Sequence, residues 1–204
     1  MDATRALVDD GLDTAGLNTA LAEATCLGVT VDAAAAELRI DLEVLTLPED
    51  SPPPEHHRVV LLLTGVSRVA ASMRLHDWHE PEPRVLPLTL DTLHEGVAAF
   101  GGGALHGWEF IDGASSGWSL WRELLSFDTE VSANPAVHVL EFAQQEGVDP
   151  RELDVRIWFQ GIRILDPEGN DVPTAEFVAG AQRWWKAHDK CDPRTMLPDV
   201  APPM

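Results

Sequence analysis

Five consecutive residues, His76-Asp77-Trp78-His79-Glu80, hold two imidazoles and two carboxylates. Neutral imidazole and carboxylate are the ligands that zinc and related metals take. The spacing departs from the helical pair of histidines at i and i+4 with a glutamate base between them. On a strand, His76 and His79 would point to opposite faces, so they converge only if Asp77-Trp78 turns. Two ligands are also too few, and Glu80, His56, His57, His94 or His106 would have to approach. His76, His79 and Glu80 are therefore the residues a metal-dependent enzyme would use. The expectation is a polar strand end before Pro81, with no metal and no cofactor.

Gly113-Ala114-Ser115-Ser116-Gly117 is a literal G-x-S-x-G. In serine hydrolases this motif lies on a sharp strand-to-helix turn that exposes the serine oxygen. A strand candidate, Trp108–Ile111, precedes it, and Asp166 and His188 follow in the chain order such enzymes use. The alternating strands upstream do not build an α/β-hydrolase sheet, and Gly/Ser-rich stretches are ordinary loops. Ser115 is read as a loop residue, with a small hydrolase as an alternative function. Cys191 follows a helix C-terminus, which does not lower a thiol pKa. Gly101-Gly102-Gly103 lacks the Lys and Ser/Thr of a phosphate-binding loop.

Tryptophan is the third chemical feature: seven residues in a chain with no tyrosine. Indoles serve interface hot spots and small-molecule pockets. Trp78, Trp108, Trp118 and Trp121, with Asp112 in the same Gly/Ser-rich region, are the candidates for partner or ligand contact. A small-ligand or carbohydrate binder built on these loops is a further alternative. Trp158 falls on the Asp154/Arg156 face of its strand. Trp158, Trp184 and Trp185 are expected to form a second core layer beneath a C-terminal helix.

The elements that must position these residues are mostly strands. Leu38, Ile40, Leu42 and Val44 alternate with Glu37, Arg39, Asp41 and Glu43, the period of a strand with one buried and one wet face. Leu27, Val29 and Val31 alternate before it, and the two predict an antiparallel hairpin. Pro48–Pro54 excludes a regular element. Strands are predicted at Arg58–Thr64, from Val69 to Leu75, at Leu105–Ile111, Ser119–Phe127 and Val137–Phe142, and from Leu153 to Phe159. Ile162 and Ile164 follow in a further strand. Leu17–Ala24 reads either as a short helix or as an irregular lead-in. Leu90, Leu93, Val97 and Phe100 predict another that ends at Gly101. Phe177, Ala181, Trp184 and His188 lie on one face of a C-terminal helix. The fold is expected to be α+β, mainly antiparallel sheet with that amphipathic helix packed on it. One domain is expected over residues 1–192, with a Pro-rich tail at 193–204.

Composition narrows the function. The chain of 204 residues carries 34 Asp+Glu against 14 Lys+Arg, a formal net charge of −20. Such a charge repels phosphate backbones and anionic membrane surfaces, so neither nucleic acid nor membrane is expected as a partner. A basic protein partner fits the charge. Two cysteines make no disulfide scaffold and suit a reducing compartment. The N-terminal residues lack the basic segment and apolar run of a signal peptide, and Val59–Leu63 is too short to span a bilayer. These features predict a cytoplasmic location. The expected function is non-catalytic: an acidic protein-binding module, with an inhibitor or immunity-type protein that blocks a basic toxin or nuclease as one concrete form.

Overall fold

The computed structural model describes residues 11–50, 57–76, 82–101, 105–111, 123–145 and 151–195. Among them the order is α1 (Thr14–Ala20), β1 (Thr25–Asp32), β2 (Glu37–Glu43), β3 (Arg58–Thr64), β4 (Arg68–Leu75), β5 (Arg84–Val85), α2 (Leu93–Ala98), β6 (Leu105–Ile111), β7 (Phe127–Glu130), β8 (His138–Gln145), β9 (Arg151–Phe159), β10 (Gly161–Leu165) and α3 (Thr174–His188). The architecture is α+β with two antiparallel sheets. The first is four-stranded in the order β1-β2-β3-β10; the second runs β5-β4-β9-β8-β6, with β7 also paired to β4.

Period-2 patterning sets the inner faces. Leu38, Ile40, Leu42 and Val44 are all buried. Ile40 pairs with Leu61, which pairs with Ile164, so one apolar row crosses the first sheet. In the second sheet, Leu153, Val155, Ile157 and Phe159 face inward beside Val69, Ala71 and Met73 on one side and Leu140 and Phe142 on the other. Both inner faces join one hydrophobic core, which also takes Leu17 and Leu21 at α1, Leu93 and Val97 from α2, and Phe177, Val178 and Ala181 from α3.

The helices begin and end for local reasons. The Asp13 carboxylate caps α1 by accepting from the Gly16 amide at 2.8 Å. A Cβ on Gly16 would meet the Val178 side chain at 2.8 Å, so glycine is what lets α3 approach α1 this closely. Gly101 ends the α2 region at φ +68°. The segment after β2 is clamped to α3: the Leu47 amide donates to the Gly180 carbonyl, and Arg183 Nε donates to the Leu47 carbonyl at 2.8 Å.

The two sheets share a corner. β3 pairs with β10 in the first sheet, and their continuations β4 and β9 pair in the second. The ribbon bends between Thr64 and Arg68 on one strand and at Gln160 on the other. There the Gln160 amide donates to the Thr64 carbonyl at 3.0 Å, and the Ser67 amide donates to the Trp158 carbonyl at 2.9 Å. Gly65 makes the bend at φ +62°, and a Cβ there would come within 2.6 Å of the Gln160 side chain.

Several expectations are corrected. Leu27 does not share the buried face with Val29. Cys26 pairs with Leu42 and Gly28 with Asp41, so Leu27 is the extra residue of a bulge and is 36% exposed. The strand expected at Ser119–Phe127 begins only at Phe127 and runs on to Glu130; residues 123–126 are turn and bend, and 119–122 lie outside the described residues. Trp158 does not form a layer with Trp184 and Trp185. It lies beneath Arg68 on the second sheet, whereas Trp184 packs against Trp185 and His188 within α3. The start of the expected tail, Pro193–Thr195, forms a 3-10 turn, and Thr195 is buried. No helix among the described residues is long and apolar enough to cross a membrane.

Candidate functional site

Among the described residues, both sheets gather charged side chains on the face turned from the core, Glu37, Arg39, Asp41, Glu43 and Arg163 on the first, and the second sheet holds the larger set of paired ones. Residues opposite one another in an antiparallel pair share a face, as do residues two apart along a strand. One row is Glu130, Arg68, Trp158 and Val139. The next is Asp128, Ala70, Arg156, Glu141 and Glu109. Ser72 and Asp154 follow, then Arg74, Glu152 and Gln145. Among the described residues this face carries six carboxylates (Glu109, Asp128, Glu130, Glu141, Glu152, Asp154) against three guanidiniums (Arg68, Arg74, Arg156). Its middle, at Ala70, Ser72 and Arg156, is buried, and Glu109, Asp128 and Glu130 are its exposed acids.

Each of the three arginines is gripped by a carboxylate of the same face. Arg68 Nε donates to Asp128 Oδ1 at 2.6 Å, its Nη2 donates to Asp128 Oδ2, and the guanidinium lies 4.7 Å over the Trp158 ring. The Asp128 hydrogen bond raises the Arg68 pKa further. Arg156 is 2% exposed and donates through Nε and Nη2 to Glu141. Arg74 lies between two carboxylates, donating to Glu152 at 2.8 Å and making a close ion pair with Asp154.

Glu152 and Asp154 are driven apart by their surroundings. Burial pushes Asp154 up, and the Arg74 charge only partly offsets this. Burial would also raise Glu152, but hydrogen bonds from Arg74 and His76 outweigh it and hold Glu152 below the usual carboxylate range. Gln145 Nε2 also donates to Glu152, at 3.0 Å.

His76 pairs across the sheet with Glu152. Its Nε2 lies 2.9 Å from Glu152 Oε2, and the Arg74 guanidinium already supplies the cation at that carboxylate. No group of three or more metal-ligating side chains with suitable geometry occurs among the described residues. Trp108 is a core residue rather than a surface one. It is 9% exposed, stacked on Phe142 at 5.9 Å and edge-on to Phe110 at 6.2 Å. Trp78, His79, Glu80, Asp112, Ser115, Trp118 and Trp121 lie outside the described residues. Cys26 is buried, which pushes its thiol up to about 12, and Cys191 is exposed. A thiol so raised stays protonated and unreactive at neutral pH.

Sequence reasoning passed over Arg68, Glu130, Arg74, Glu152 and Glu141. Only the off-face position of Trp158 pointed toward this surface. The rest depends on pairings between distant segments, such as His76 with Glu152, 76 residues apart.

No protein-family model matches the chain, and no curated protein or solved structure matches it.

Proposed function

We propose that this chain is a non-catalytic acidic binding protein of a reducing, cytoplasmic compartment, and that its partner is a basic protein. The observation that carries this reading is the charge balance on the outer face of the second sheet. Three guanidiniums are held by carboxylates of that same face, and the remaining carboxylates give it a formal charge of −3, from six acids less three arginines. The chain as a whole stands at −20. A face of this kind is rigid and its potential adds to that of the whole molecule, which steers a cationic surface toward it. An inhibitor that covers the active cleft of a basic enzyme is the concrete form that such steering suits.

Affinity capture from native lysate tests the reading. Wild-type chain is expected to retain a basic protein that elutes as salt is raised. A variant carrying Glu109→Lys and Glu130→Lys, two exposed positions on this face, is expected to lose it. Retention of the same protein by the charge-reversed variant would refute the assignment of this face.

A further inference from the structure

Beside the corner of the two sheets lies a cavity of about 350 Å³, lined by Ser67, Arg68, Glu130, Ser132, Asn134 and Trp158 among others. Its walls are built before any ligand arrives. The Val131 amide donates to the Ser67 carbonyl at 2.8 Å, and Ser132 Oγ donates to the Val66 carbonyl at 2.8 Å. The Asn134 amide donates back to Ser132 Oγ at 3.3 Å, and Gln160 Nε2 donates to the Pro135 carbonyl at 3.1 Å. The Val137 amide closes the segment onto the Phe159 carbonyl at 3.0 Å. The segment from Val131 to Val137 is thus tied to the corner along its length, so little ordering cost attends binding.

The chemistry of the lining selects the sign of the ligand. Arg68 is the cation of the cavity, but its fork is closed on Asp128 through Nε and Nη2 and its plane rests on Trp158. An incoming anion would compete with Asp128 for those donors. Glu130 is different: its carboxylate is exposed, and it acts on Arg68, its cross-strand neighbour, through charge rather than through the hydrogen-bonded fork that Asp128 closes. Counting Asp128, Arg68 and Glu130 leaves one net negative charge at the mouth. Beside the Arg68 stack, the remaining indole surface is an apolar wall that suits the stem of a basic side chain. The Asn134 side chain adds an amide at the rim.

We infer that this cavity receives one basic side chain of the partner, an arginine or lysine, with Glu130 as its counter-ion and Trp158 as its apolar wall. The inference rests on the partner reading above and names the anchor within it. Aromatic and arginine anchors seated in preformed pockets are what carry most of an interface's energy.

The test is a titration of the whole chain with N-acetyl-arginine methylamide, its lysine counterpart and methyl β-glucoside, followed through the assigned indole N–H resonance of Trp158. The arginine or lysine probe is expected to shift that resonance with a dissociation constant on the order of 1 mM, the scale of a lone anchor without an interface around it. Glu130→Gln changes an exposed side chain and should leave the fold intact. It is expected to weaken the titration about tenfold, the scale of losing one hydrogen bond between charged groups. Glu168→Gln, an exposed change in the turn after β10 and outside the charged face, should leave the titration unchanged. An equal shift with the glucoside would overturn the assignment in favour of a saccharide site. No shift with any probe, or a titration indifferent to Glu130→Gln, would overturn it outright. If the cavity fails while Glu109→Lys with Glu130→Lys still abolishes partner capture, the anchor falls and the partner reading stands.

Discussion

The Arg68 guanidinium lies 4.7 Å above the Trp158 ring while two of its nitrogens donate to Asp128. The stack sits one residue past the bend where β3 becomes β4, and the Ser67 amide bonds the Trp158 carbonyl there. The same side chains therefore stiffen the corner and border the cavity. A rigid corner keeps the charged rows in fixed register, which is what an electrostatically matched partner requires.

The corner itself is testable. Gly65→Ala adds a Cβ that meets Gln160 at 2.6 Å on a backbone at φ +62°. The expected cost is about 2–3 kcal/mol, combining left-handed strain and steric overlap. Gly65→Ala with Gln160→Ala removes the overlap and leaves the strain, so the double variant should recover about half of the loss in chemical denaturation. If Gly65→Ala alone left the protein as stable as wild type, the bend would not be held at this pair.

Register in the first sheet is tested by a matched pair. Leu42 is fully buried, whereas Asp41 lies on the opposite face with its carboxylate accepting from Arg39. Leu42→Asp should destabilise by about 4 kcal/mol or more, because an unpaired carboxylate enters the core. Asp41→Leu should change stability by no more than about 1 kcal/mol, the worth of an exposed pair. Thermal melts in which Asp41→Leu is the more damaging change would contradict the register.

Much of the fold is legible because alternation is a local signal. Leu38 to Val44 and Leu153 to Phe159 declare their buried faces without reference to any other segment, and both faces are as expected. The bulge at Leu27 is not legible, because it exists only as a mismatch between β1 and β2. The corner needs Gly65 and Gln160 to meet across the whole middle of the chain. The candidate site suffers most. Arg68, Asp128, Glu130, Arg74 and Glu152 look like ordinary wet-face charges until pairing brings them into rows. Trp108 fails in the opposite direction: proximity to a Gly/Ser stretch suggested exposure, but its strand face is set by Phe142 and Phe110, which pack with it.

Glu152 and Asp154 should leave opposite signatures in the pH dependence of stability. Glu152 is held below its ordinary value, so its contribution is present above the unfolded carboxylate range and is lost as pH falls through its folded value. Asp154 is raised, so its contribution is present below its unfolded value and is lost as pH rises through its folded value. Glu152→Gln should therefore cost about 0.5–1 kcal/mol at pH ~7, a drop of roughly 1–4 °C in Tm, and the gap should close near pH ~3. Asp154→Asn should move the other way, improving relative to wild type as pH rises from ~3 to ~7. Parallel pH trends for the two variants would contradict the opposed environments.

The Arg156–Glu141 pair separates charge from packing. The Arg156 side chain is 3% exposed and Glu141 27% exposed. Glu141→Leu alone removes that carboxylate from a buried guanidinium and should cost about 3 kcal/mol. Arg156→Met combined with Glu141→Leu replaces the pair by apolar groups and should lie within about 1 kcal/mol of wild type, because desolvation offsets most of the pair's attraction. A double variant as unstable as the single would show that the guanidinium contributes through something other than this pair.

The central claim, that the acidic outer face of the second sheet steers a basic partner, is tested most directly by the association rate of the captured partner as a function of salt. Screening shortens the reach of exposed charges to about 8 Å at physiological ionic strength and to about 3 Å at ~1 M. The rate constant should fall by at least about tenfold between ~20 mM and ~500 mM salt, and the fall should shrink in the Glu109→Lys, Glu130→Lys variant. An association rate that stays constant across that range in the wild-type chain would contradict the account.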